Sequence, residues 1–119
     1  MKVKKLNIKI FGWKVILVEI KNKNEFKKVI KIMKPINLCL EDIKYIKNNM
    51  KCHDGGDYFY NTSNKKSVIL IYPITSKRER RNVLEHEKRH LVDRILENCH
   101  IKDIETSAYL TGFISEKFY

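Results

Sequence analysis

Residues 83–97 read VLEHEKRHLVDRILE, and within them His86, Glu87 and His90 stand in the spacing H-E-x-x-H. On an α-helix, residues four apart lie about 40° apart around the axis and roughly one turn along it, so both imidazoles can aim at one point. Two histidines placed in this way can share a divalent metal. A carboxylate directly after the first histidine can reach a metal-bound water without binding the metal, so these residue types point to hydrolysis with Glu87 as general base. With four histidines and nine glutamates in 119 residues, a shuffled chain would contain the pattern about 0.01 times. The competing reading is structural. Glu79, Asn82, His86, His90, Asp93 and Glu97 share one helical face that is polar throughout, as a solvated surface would be.

Catalytic zinc takes three protein donors and keeps one position open. A third histidine in the metzincin pattern would need Gly and His at the third and sixth residues past His90, where this chain has Asp93 and Leu96. A carboxylate from the following helix remains. Glu105, 15 residues after His90, falls in the first turn of that helix. Asp93 is placed to accept the second ring N–H of a histidine from outside the metal shell. Tyr109 is either a donor to a developing oxyanion or a ring packed between two helices.

The elements that must carry these residues can be read in outline. Val3, Leu6, Ile8 and Ile10 alternate with mostly polar residues, as in a half-buried strand, and WKVILVEI (13–20) is a second β-rich run. Residues 24–33 switch to helical spacing, with Asn24 as a candidate N-cap and Lys34-Pro35 as the stop. A short helix is predicted over 40–50, strands over 58–61 and 67–72, a long helix from an N-cap at Ser76 to Asn98, and a last helix over 102–117. This order makes the chain α+β, a single domain over 1–119 with a mixed or antiparallel sheet, the histidine-bearing helix and a C-terminal helix after it.

The run His86-Glu87-x-x-His90 followed by Glu105-Thr-Ser-Ala108 resembles the gluzincin type of zinc metallopeptidase, in a minimal single-domain form such as phages and mobile elements carry. The resemblance covers about residues 57–118. It implies a small zincin-like domain that hydrolyses peptide bonds, with Zn²⁺ held by His86, His90 and Glu105 and with Glu87 as base. It also likens SVILIYP (67–73) to the edge strand along which extended substrate pairs. Many gluzincins place an Asp four residues beyond the ligand Glu; here that residue is Tyr109.

Composition bears on partners. The formal charge of +11 points to an anionic partner, but 20 lysines stand against 5 arginines, and Lys, Ile and Asn supply 46 residues. AT-rich codons produce that balance, so nucleic acid ranks below a peptide or protein substrate. The rival reading is a non-catalytic basic protein that binds nucleic acid or a protein, with the H-E-x-x-H fortuitous or inactive. Cys39, Cys52 and Cys99 contain no C-x-x-C pair, which favours a reduced compartment over a disulfide framework. The N-terminal run imitates a secretion signal, but Lys9 and Lys14 interrupt it and no small-residue cleavage site follows. No stretch approaches a membrane span, so a cytoplasmic location is expected. His53, His100 and Asp54-Gly55-Gly56-Asp57 read as loop or turn residues, and Cys99 lacks the partners of a catalytic thiol.

Overall fold

The strands Trp13–Glu19 and Lys66–Ile71 are β-branched runs, Gly56–Asn61 is an aromatic one and Lys2–Ile8 is an alternation of apolar and polar residues, and what surrounds each decides its place in the sheet. The computed structural model describes residues 1–52, 55–73 and 76–118. The assignment of His53 and Asp54 to a turn lies outside them. Strand β1 (Lys2–Ile8) turns through a short 3-10 segment at Lys9–Phe11 into β2 (Trp13–Glu19). Gly12 takes φ 64° at the corner, a left-handed conformation that a side chain would disfavour. The first strand therefore ends at Ile8, two residues short of its apolar alternation.

Helix α1 (Phe26–Ile32) follows a single turn, Lys23–Glu25, that carries the cap. Asn22, rather than Asn24, is the capping residue: its side chain accepts from the Asn24 amide, and the Glu25 carboxylate accepts in return from the Asn22 amide at 3.0 Å. Helix α2 (Leu40–Cys52) leads to β3 (Gly56–Asn61) and β4 (Lys66–Ile71), then α3 (Lys77–Asn98) and α4 (Ile104–Phe118). None of the helices among the described residues is long and apolar enough to cross a membrane.

The sheet is mixed, in the order β1-β2-β4-β3, with β2 and β4 parallel and the outer pairs antiparallel. β4 is therefore central. Its run from Ser67 to Ile71 is buried throughout, as expected of a strand covered on both faces. The likeness of SVILIYP to an edge strand is corrected accordingly: β3 is the edge on the α3 side, because it hydrogen-bonds only to β4 in the sheet order. One face of the sheet, carrying Trp13, Val15, Leu17, Ile69 and Ile71, packs on Leu84, Leu91 and Ile95 of α3 and on Leu110, Ile114 and Phe118 of α4. The other face, carrying Val18, Val68, Leu70 and Tyr72, packs on Val29, Ile46 and Met50 from α1 and α2.

Gly56 sets how closely α3 approaches the sheet. A Cβ there would stand 2.6 Å from Val83 Cγ1 and 2.7 Å from the Leu70 carbonyl oxygen. Only the bare backbone admits the helix at this point.

Candidate functional site

Helix α3 starts at Ser76, whose hydroxyl accepts from the Glu79 amide at 3.4 Å, and runs unbroken to Asn98. His86 and His90 therefore lie one turn apart on the same helix, both exposed. Their Nε2 atoms are 3.1 Å apart and their ring centroids 4.7 Å, with the planes nearly perpendicular. Two nitrogens that each bind a tetrahedral ion at 2.0–2.1 Å are about 3.3 Å apart. The observed spacing is close to that edge.

Glu87 lies between the histidines and the apolar stripe of α3 and is only 5% exposed. One donor atom from each of His86, Glu87 and His90 falls within a group no wider than 4.8 Å, a reach that covers both direct ligation and contact through one water. Burial raises the pKa of the Glu87 carboxyl above its ordinary value; the neighbouring Asp57 carboxylate adds to the rise and His86 opposes it. The group opens into a groove of about 440 Å³ walled by Gly56, Asp57, Tyr58 and Tyr60 of β3 and, on α3, by the histidines, Glu87, Asp93, Arg94 and Glu97.

The β3 wall meets His90 from the side. Tyr58 stacks on His90 with centroids 6.4 Å apart and on Tyr60 at 5.8 Å. The Arg94 guanidinium lies 4.0 Å from the centre of the Tyr60 ring, a favourable cation–π position. Arg94 Nη1 is 3.5 Å from Glu97, while its Nε is buried without a hydrogen-bond partner. The Tyr58 hydroxyl meets Ser67 Oγ at 2.6 Å, and the Trp13 indole N–H donates to the same oxygen at 2.7 Å. Burial pushes the Tyr58 phenol up, with the Ser67 contact and Arg94 opposing. Tyr58 is thus tied to the sheet at one end and stacked on His90 along its ring.

The residues anticipated from sequence divide into two sets. His86, Glu87, His90 and Asp93 line one groove. Glu105 does not join the donor group; it is exposed in the first turn of α4. The register of α4 on α3 explains this. Lys88 Nζ reaches the Ser115 hydroxyl between the two helices, so α4 runs back with Ser115 level with Lys88 and Glu105 level with about residue 98. That is about two turns past His90, roughly 12 Å along the axis. Tyr109 is 63% exposed and lines a separate groove with residues 6–10 of the β1 end, away from the histidines. Tyr58, Tyr60 and Arg94 were not singled out from the sequence. The first two share a face as i and i+2 of a strand, and Arg94 follows His90 by four residues, so the same periodicities would have found them.

A scan against protein-family models, a search of curated proteins and a search of solved structures return no match to this chain.

Proposed function

We propose that the protein is a zinc-dependent peptidase of zincin-like architecture, with His86 and His90 as metal ligands and Glu87 as general base. The observation that carries this reading is the convergence of two imidazole nitrogens 3.1 Å apart with a buried carboxylate in the same group. Bound there, Zn²⁺ would polarise the scissile carbonyl and bring the pKa of water towards neutrality. The Glu87 carboxylate accepts the proton of the attacking water and delivers it to the departing amine, and its raised pKa moves it closer to neutral working conditions. Tyr58, stacked on His90, holds that ring in orientation. The outer edge of β3 offers backbone N–H and C=O groups to an extended peptide entering the groove. Glu105 is the third ligand that the gluzincin resemblance implies, and it reaches the ion only if the first turn of α4 moves inward.

A second reading is favoured by the membership of the donor group itself. Because Glu87 stands in it and Glu105 does not, Glu87 can be the third ligand, which leaves a metal-binding site without a base. Metal analysis of protein purified without a histidine tag separates the readings, with peptide cleavage followed by mass spectrometry. As a catalytic base, Glu87→Gln retains about one zinc per chain and loses hydrolysis by orders of magnitude. As a ligand, Glu87→Gln loses the zinc. Glu105→Ala lowers zinc affinity only if α4 supplies a donor. A wild-type chain that takes up no zinc removes both readings.

A further inference from the structure

We propose that the groove between β1 and the first turns of α3 is a binding site for the phosphate backbone of a nucleic acid. Lys2 and Lys4 of β1 face Lys77, Arg78, Arg80 and Arg81 of α3 across a depression of about 500 Å³. Glu19 is the acidic side chain on its lining, 3.9 Å from Arg80. Among the described lining residues six cations stand against one anion, with Lys4 Nζ also donating to the Phe118 carbonyl. The same turns of α3 carry the positive end of the helix dipole.

Codon bias accounts for abundant lysine scattered over a surface but not for where the arginines are. Three of the five arginines, 78, 80 and 81, line this one groove. Arginine presents a planar fork that meets phosphate oxygens in pairs. A ligand with a charge on every repeating unit matches that density of cations; a polypeptide would need an unbroken acidic run. A bilayer is a poorer fit because the cations surround a concavity, and the apolar lining residues Leu84 and Phe118 are themselves buried and cannot insert. Among the described residues of the lining no aromatic ring lies open for base stacking, so the contacts they offer are to the backbone and tolerate sequence. The groove shares no residue with the histidine groove, and this site stands whether or not the zinc reading does.

Fluorescence anisotropy with labelled 20-nucleotide single-stranded and duplex DNA and RNA, over a series of salt concentrations, tests the proposal. The expected result is a linear fall of log affinity with log salt, at about 0.9 per phosphate contacted on duplex and 0.7 on single strands. Lys2→Gln, Lys77→Gln and Arg78→Gln combined should flatten the slope by about 2 to 3 and weaken binding at least tenfold. The control removes the same charge from exposed Lys27, Lys28 and Lys31 on α1. Circular dichroism confirms that both variants fold, and the control should bind within about threefold of wild type. Equal loss in the two triple variants would show general charge attraction and overturn the groove. So would no binding at low salt, or tighter binding to poly-glutamate or phosphatidylglycerol vesicles than to nucleic acid at equal charge.

Discussion

Gly56→Ala tests how α3 is held against the sheet. The added methyl would sit 2.6 Å from Val83 Cγ1, 2.7 Å from the Leu70 carbonyl oxygen and 3.4 Å from Glu87 Cγ. Carbon atoms pack at about 3.5–4.0 Å, so the first contact is short by about 1 Å. Val83 is β-branched and holds one rotamer in a helix. Leu70 O belongs to the backbone of the central strand, paired on both sides. Neither neighbour can turn aside, so the helix or the edge strand must move. Overpacking of this kind costs about 1–3 kcal/mol, and contact with fixed backbone places it near the upper end. Relief of glycine's extra chain entropy returns up to about 1 kcal/mol. The net loss is about 2 kcal/mol, or roughly 6–12 °C in Tm at this chain length. Urea unfolding and thermal melts by circular dichroism measure it. Val83→Ala in the same chain removes the 2.6 Å contact but leaves the one to Leu70, so a double-mutant cycle should give a favourable coupling of about 1 kcal/mol. Gly56→Ala within 0.5 kcal/mol of wild type, or a cycle without coupling, would refute the close-approach argument.

Two further outcomes follow from side chains at the site. Because the Glu87 pKa is raised in the fold, its contribution to stability is fully present below the ordinary value of 4.5 and is lost as pH rises through the raised value. In chelator-treated protein, Glu87→Gln should therefore gain on wild type as pH rises from about 4.5, which urea midpoints across pH will show; an advantage that shrinks with pH contradicts the assigned burial. Tyr58→Phe leaves Ser67 Oγ with the Trp13 N–H alone and should cost about 1 kcal/mol. The stack on His90 survives in that variant, so its zinc affinity should match wild type while Tyr58→Leu binds more weakly; equal affinities in all three would deny the ring any part in holding His90.

What could be read from the sequence was local. Ser76 and the breaker-free stretch behind it specify α3, and the four-residue interval between the histidines specifies their convergence once α3 exists. The continuous run Val68–Ile71 likewise identifies a strand, but the edge position that the resemblance lent it conflicts with its lack of alternation, which fits a strand covered on both faces. Its neighbours were not legible, because its parallel pairing with β2 joins strands about 50 residues apart, with α1, α2 and β3 between them. Glu105 illustrates the same limit. Its distance from His90 depends on the register of α4, fixed by Leu110, Ile114 and Phe118 in the core and by Lys88 against Ser115. None of those contacts is encoded in the 14 residues that separate the two.

The burial of Glu87 distinguishes this helix face from an ordinary solvated one. Leu84, Leu91 and Ile95 form the stripe that α3 lays on the sheet, and position 87 lies at its margin, close enough to be 5% exposed. A leucine there would extend the apolar contact, whereas a carboxylate is desolvated beside Asp57 of the same sign. A surface that served only to meet water would expose its acid, as Glu97 does on the same helix at 72%. Here the order is reversed: the two histidines are exposed at the groove, and Glu87 is drawn in beside Gly56, its Cγ 3.4 Å from where a Cβ on that glycine would stand. That arrangement costs stability at the point where two histidines converge, and a carboxyl raised in pKa beside convergent donors is what the proposed role of Glu87 requires.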